Sequence, residues 1–284
     1  MVSGFLSDIQ LSYNQFTRTE KKVADYVLKN CDKVVFMSIS DLSAACRVAE
    51  ASVYRFCRTM GVKGYQEFKM RLSLSLASEE PMEKSGGQGD AKRLGLDYIL
   101  EQALERNINS LKETRRLADY EEIEKTVRMM EEAKQVYFFG IGDSLLMGQL
   151  AMNKFLRITK KVNCISDLHM QAMLASMASE EDLIIFLSYS GSTKDNISVA
   201  RIAKKSGAKV VAISRFKKTP LTEYTDALLL CGSDEGPLEG GSMGARVSQM
   251  FIIDVLFHEY YRRNHDISKE NNHRTSEAVV ERLF

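Results

Sequence analysis

Asp182-Leu183-Ile184-Ile185-Phe186-Leu187-Ser188-Tyr189-Ser190-Gly191-Ser192-Thr193 is the stretch whose reading decides the fold. Its first half is an almost wholly apolar run with the composition of a buried strand, and its second half is a hydroxyl-rich loop. Residues Asn196 to Ser206 follow with Ile197, Ala200, Arg201 and Lys204 at helical spacing. The loop therefore joins the C-terminal end of a strand to the N-terminus of a helix. Free backbone N–H groups, the positive end of the helix dipole and short O–H donors meet there, which is what a phosphate monoester needs. Ser and Thr at such a place serve equally well as helix caps. Spacing alone leaves both readings open.

Working outward, residues 135–265 alternate short apolar runs with amphipathic stretches. Strands are expected at Val136–Phe139, Asn163–Ile165, Leu183–Leu187, Val210–Ile213 and Ala227–Leu230, with helices between them. That alternation predicts an α/β domain with a parallel sheet. Gly140-Ile141-Gly142-Asp143-Ser144 follows the first strand, but the third glycine of a dinucleotide fingerprint would fall at Leu145, so that motif fails. The turn instead places a second set of donors at the C-terminal edge of the sheet, where ligands collect in open α/β folds.

Gly140-x-Gly142-x-Ser144, Ser188-x-Ser190-Gly191-x-Thr193 and Lys204-Lys205-x-Gly207-Ala208-Lys209-Val210-Val211-Ala212-Ile213-Ser214 together resemble a sugar isomerase (SIS) domain over about residues 120–265. The resemblance implies a three-layer α/β domain with a five-stranded parallel sheet and a phosphosugar site. It implies that Ser188, Ser190 and Thr193 hold the phosphate and that Ser144 closes the site. Gly142, Gly191 and the backbone of Tyr189 and Ser192 belong to the same set. Glu235 and Glu239 stand where a carboxylate would accept sugar hydroxyls, or they line a solvated acidic loop; Glu239 is counted with the ligand residues. Arg246-Val247-x-Gln249 and Ile253-Asp254-Val255-Leu256-Phe257 match the last helix of such domains, with Ala245 replacing a usual Ser. That helix, about Ser242 to Arg263, is expected to turn Val247, Met250, Phe251, Val255 and Phe257 toward its own sheet and a second subunit.

The first quarter is different. Thr17-Arg18-Thr19-Glu20 has capping-box spacing and opens a helix to about Asn30. A second helix is expected from Ser40-Asp41, capped by Ser40, with Leu42, Ala45 and Cys46 on one face. A third, about Glu50 to Met60, has Val53, Phe56, Cys57 and Met60 on its core face. Its other face presents Ser52, Tyr54, Arg55, Arg58 and Thr59. Two short helices with a tight turn and a basic outer face describe a helix-turn-helix. Thr17 to Phe68, through Val53-Tyr54-Arg55-Phe56-Cys57-Arg58-x-x-Gly61-Val62-Lys63-Gly64-Tyr65 above all, resembles the DNA-binding domain of RpiR-type bacterial regulators. The resemblance implies an all-α bundle whose Ser52, Tyr54, Arg55, Arg58 and Lys63 face DNA. Arg47 stands where that family usually has Gly, and Ala49 where a Ser or Thr cap is common.

Composition fits this division. Residues 1–77 carry eleven Lys/Arg against seven Asp/Glu, while the whole chain of 284 residues is only +1. A mildly basic first quarter permits contact with nucleic acid. The five cysteines form no C-x-x-C pair and read as reduced thiols. No signal peptide and no membrane-length apolar run is read, so a soluble, cytoplasmic bacterial protein is expected. His258-Glu259 lacks a second zinc histidine, and His169 reads either as an acid–base group at a pocket rim or, as a lone His more often is, as a structural residue; no metal, cofactor or catalytic residue is expected.

The expected domains are a helix-turn-helix at 1–77, a linker at 78–93, connecting helices at 94–134, the SIS domain at 135–265 and a polar tail at 266–284. Leu96, Leu100, Leu104, Ile108 and Leu111 place one long helix after the linker. The whole predicts a regulator that binds double-stranded operator DNA and a sugar-phosphate effector, as a homodimer or homotetramer, with no membrane. The competing class is a ketose–aldose phosphate isomerase with an accessory helical domain. It needs an acid and a base beside C1 and C2, for which only Glu235, Glu239 and His169 are at hand.

Overall fold

The computed structural model describes residues 5–77, 90–232 and 243–280. They fall into two compact units, 5–104 and 105–232 with 243–280. The first begins with helices α1 (Phe5–Ser12), α2 (Arg18–Lys29), α3 (Cys31–Val34), α4 (Ile39–Cys46), α5 (Glu50–Thr59) and α6 (Tyr65–Ala77). The expected capping box opens α2: the Glu20 N–H donates to Thr17 Oγ1, and the Thr17 N–H to Glu20 Oε2. Helix α4 starts two residues earlier than expected. Ser38, not Ser40, is its cap, because only Ser38 has a carboxylate three residues on, and Ser38 and Asp41 bond reciprocally at 3.0 and 3.1 Å. Ala45 is exposed there, and Ser43 takes the buried position beside Leu42. Val53, Phe56 and Cys57 are fully buried as expected, and Phe56 packs edge-on between Phe16 and Phe68 at 5.2 and 5.5 Å.

Helix α7 (Asp90–Leu117) is continuous and starts four residues inside the expected linker. Leu96, Leu100 and Leu104 remain more than half exposed. Then come α8 (Tyr120–Glu132), β1 (Gln135–Phe139), α9 (Asp143–Phe155), β2 (Val162–Cys164), α10 (Leu168–Met177), β3 (Asp182–Leu187), α11 (Lys194–Ser206), β4 (Lys209–Ser214), β5 (Ala227–Leu230), α12 (Met243–Arg263) and α13 (His265–Val280).

All strand pairs are parallel and the order is β2-β1-β3-β4-β5. Residues of α8, α9 and α12 pack on one face of the sheet and those of α10 and α11 on the other, so three layers form. Leu183 to Leu187 are fully buried, as a central parallel strand covered on both sides requires. The buried face of α12 differs from expectation: it is Ser248, Gln249, Ile252, Ile253, Leu256 and Tyr260. Val247, Phe251, Val255 and Phe257 are half-buried and Met250 is exposed. The polar C-terminal stretch is helical too. Asn271 Nδ2 and Thr275 Oγ1 donate to the carbonyls of Ile158 and Arg157, tying α13 to the end of α9's segment.

Candidate functional site

The strand order sets the place of the site. From β1 the chain moves outward to β2, then crosses back past β1 to β3, so the connections part between β1 and β3. A crevice opens at the carboxyl ends of strands at such a switch point. Register pairs Phe139 with Phe186, which brings Gly140–Ser144 and Ser188–Thr193 to neighbouring strand ends. The N-termini of α9 and α11 stand behind these two loops, and each contributes unpaired N–H groups and partial positive charge.

Within the second loop, geometry separates the roles. Gly191 has φ +60°, and a Cβ there would lie 2.3 Å from Thr219 Oγ1, so only glycine fits. Its carbonyl accepts from the Leu221 N–H at 3.1 Å and its own N–H donates to the Ser188 carbonyl at 3.1 Å, which pins the turn. Ser190 Oγ accepts from the Ser192 N–H at 3.3 Å, and Ser192 Oγ donates to the Ser190 carbonyl at 3.1 Å. Thr193 occupies the N-cap position of α11 yet its hydroxyl makes no capping bond. The cap reading therefore does not account for Thr193. Ser188 is buried at the base of the loop, and Tyr189, Ser190, Ser192 and Thr193 are half-buried.

The first loop is shaped the same way. A Cβ on Gly140 would meet the Ser144 backbone at 2.8 Å. Gly142, at φ +58° and ψ −128°, caps α9 with no side chain, leaving Ser144 half-buried in the first turn. Gln171, fully buried, donates from Nε2 to the carbonyls of Gly140 and Ile165 and supports the turn from below. Arg246 Nη2 lies 2.8 Å from Asp143 Oδ2 and ties α12 to α9. Glu235 and Glu239 lie outside the described residues. His169 is exposed in the first turn of α10. Sequence reasoning missed Arg215, the residue just after β4, whose N–H donates to the Tyr189 carbonyl at 2.9 Å. It also missed Asn196, which is buried in the first turn of α11.

In the first unit, α4 and α5 are joined by Arg47, Val48 and Ala49. Arg47 itself adopts the left-handed conformation (φ 53°, ψ 50°) where a glycine was expected. Ala49 caps α5 with no side-chain bond. Tyr54, Arg55, Arg58 and Lys63 are exposed. Ser52 is a correction: at 5% exposure it is buried, its Oγ accepting from Arg55 Nη2 at 3.3 Å. It orients Arg55 and does not present a surface. Thr59 donates to Glu20 Oε1 at 2.7 Å and closes α5 onto α2.

Among the described residues no group of His, Cys, Asp or Glu is arranged to hold a metal, and no helix is long and apolar enough to cross a membrane. The five cysteines are free, and burial pushes the Cys57 thiol up to about 12.

A helix-turn-helix followed by a three-layer domain with paired hydroxyl loops defines a one-chain transcriptional regulator with its own ligand-type domain. Residues 3–79 match the helix-turn-helix domain of the rpiR family, and residues 129–259 match the SIS domain. An HTH-type transcriptional regulator of Haemophilus influenzae is 32% identical over 97% of this chain and 96% of its own. HexR of Pseudomonas aeruginosa is 32% identical over 90% and 88%. The structure of Vibrio vulnificus NanR complexed with ManNAc-6P superposes with a TM-score of 0.87 at 29% identity, over 99% of this chain and 100% of that one. The chain belongs to the rpiR family of helix-turn-helix transcriptional regulators with a SIS domain. Like these relatives it is a helix-turn-helix transcriptional regulator.

Proposed function

We propose that this regulator binds operator DNA through Tyr54, Arg55, Arg58 and Lys63, and a sugar-phosphate effector through Ser144, Ser188, Ser190 and Thr193. Gly142, Tyr189, Gly191 and Ser192 supply backbone to the same anion site, and Glu239 meets the sugar hydroxyls. The observation that carries the reading is the uncapped Thr193 hydroxyl at the N-terminus of α11, beside the turn that Gly191 makes. A helix start whose own hydroxyl is unspent offers donors and partial positive charge to an anion, which supports this reading. The ManNAc-6P complex of NanR supports the ligand class. Effector binding changes DNA affinity, with a coupling of ~1–3 kcal/mol sufficient for a 5–150-fold effect. The protein works in the bacterial cytoplasm as a homodimer or homotetramer; the exposed Leu96, Leu100 and Leu104 of α7 support self-association.

The test is a DNA-binding titration on the chain's own upstream region, with and without hexose, amino-sugar and pentose phosphates. At least one should shift DNA affinity fivefold or more. Arg58→Ala should weaken all sequences and flatten the salt dependence, while Arg55→Ala relaxes preference at one base. DNA affinity that ignores every sugar phosphate, or is untouched when Arg55→Ala and Arg58→Ala are combined, rejects the proposal.

A further inference from the structure

Arg215 has a place in the site that the two hydroxyl loops do not explain. Its N–H and the Ser214 hydroxyl both donate to the Tyr189 carbonyl, at 2.9 and 3.2 Å, so its backbone is fastened to the effector loop. Its side chain runs the other way, toward the end of β5. A Cβ on Gly232 would lie 3.1 Å from Arg215 Nη1 and 2.3 Å from Glu113 Cγ, so glycine is required there for the two side chains to fit.

The Arg215 side chain is only 18% exposed, and Nη1 is buried without a hydrogen-bond acceptor. The nearest carboxylate among the described residues, Glu113 Oε1, stands at 3.6 Å, beyond hydrogen-bond range. Glu113 is already engaged: Arg116 holds it in a two-pronged pair at 2.8 and 2.8 Å. A buried cationic N–H without an acceptor is costly, and an oxygen brought by a ligand would relieve that cost. The phosphate donors lie at the ends of β1 and β3, whereas this guanidinium lies past the end of β4, facing β5.

We infer that Arg215 is a specificity-determining residue that donates to an oxygen of the effector's sugar moiety, with Glu113 as the counter-charge it leaves when that oxygen binds. The inference rests on the proposed phosphosugar site. It divides the labour: hydroxyl loops hold the phosphate, and Arg215 reads what is attached to it. Sugar phosphates and bare phosphate should then respond differently to the same variant.

The experiment is calorimetry on the full chain with N-acetylmannosamine 6-phosphate, glucose 6-phosphate and inorganic phosphate. Arg215→Gln should weaken the better sugar phosphate at least tenfold and leave inorganic phosphate within twofold. Glu113→Gln, which removes the competing anion, should tighten the sugar phosphate two- to fivefold. Ser190→Ala should weaken both probes. Equal weakening of both probes in Arg215→Gln, no weakening of either, or weaker sugar-phosphate binding in Glu113→Gln overturns the inference while leaving the phosphate site standing. A wild-type chain that binds only inorganic phosphate overturns it as well. Unchanged binding of both probes in Ser190→Ala overturns the phosphate site itself, and this inference with it. If Arg215→Gln does not fold, the Glu113→Gln result decides alone.

Discussion

At Thr193 and Gly191, two residues apart, function and fold make opposite demands. Thr193 has a hydroxyl that the helix does not use, so removing it leaves the fold intact and takes one donor from a bound dianion. Thr193→Ala should keep its melting temperature within a degree or two and weaken the effector about tenfold, as a charge-assisted bond of ~1.5–3 kcal/mol implies. Gly191→Ala meets both a positive φ and the Thr219 side chain, and should lose ~2 kcal/mol or more of stability. Thermal unfolding and calorimetry on the pair separate the two demands; a Gly191→Ala chain as stable as wild type contradicts the turn described here. Glu259 gives a residue-scale pH effect. Its hydrogen bond from Arg262, then that from Arg263, pulls the carboxyl from 4.5 to about 2. The folded value lies below the unfolded one, so the stabilisation is full above pH 4.5 and is lost as pH falls toward 2. Because Arg262 is exposed, screening leaves only ~1 kcal/mol. Glu259→Gln should therefore melt lower than wild type at pH 7, with the gap narrowing as pH falls from 4.5 toward 2.

At the scale of elements, the helix-turn-helix carries two local costs. Arg47 holds a left-handed conformation that disfavours side chains by ~1–2 kcal/mol, and α5 begins at an alanine that caps nothing. Arg47→Gly and Ala49→Asp should each raise stability by ~0.5–1 kcal/mol, read as a higher denaturant midpoint at constant slope. A fall in midpoint for both would mean that these residues make contacts that outweigh their backbone cost. Helix ends were the elements read least well. Ser38 and Ser40 both precede Asp41, and only the spacing of a reciprocal cap separates them. The apolar stripe of α12 was legible as a stripe, but its buried side was not. Ser248 and Gln249 are buried there while Met250 is exposed, an assignment that hydrophobicity alone reverses.

At the scale of the molecule, the regulator joins a DNA-reading unit to a ligand-type unit in one chain, and effector control requires that both be present. A fragment of residues 94–284 should bind the sugar phosphate with wild-type affinity and lose DNA binding; DNA binding retained by that fragment would misplace the interface. Local sequence determined both architectures, because strand-loop-helix alternation, a capping box and helical periodicity are near-neighbour properties with a fixed period. It also determined the hydroxyl loops, because a Ser- and Thr-rich junction between a strand and a helix is legible from neighbouring residues alone. Tertiary structure alone decided which residues stand beside those loops. Arg215 reaches the Tyr189 carbonyl because β4 lies next to β3, and Glu113 reaches Arg215 from 102 positions away. Ser52 lost its expected place on the outer face for the same reason: burial depends on what packs against a helix, and no period within the helix encodes that.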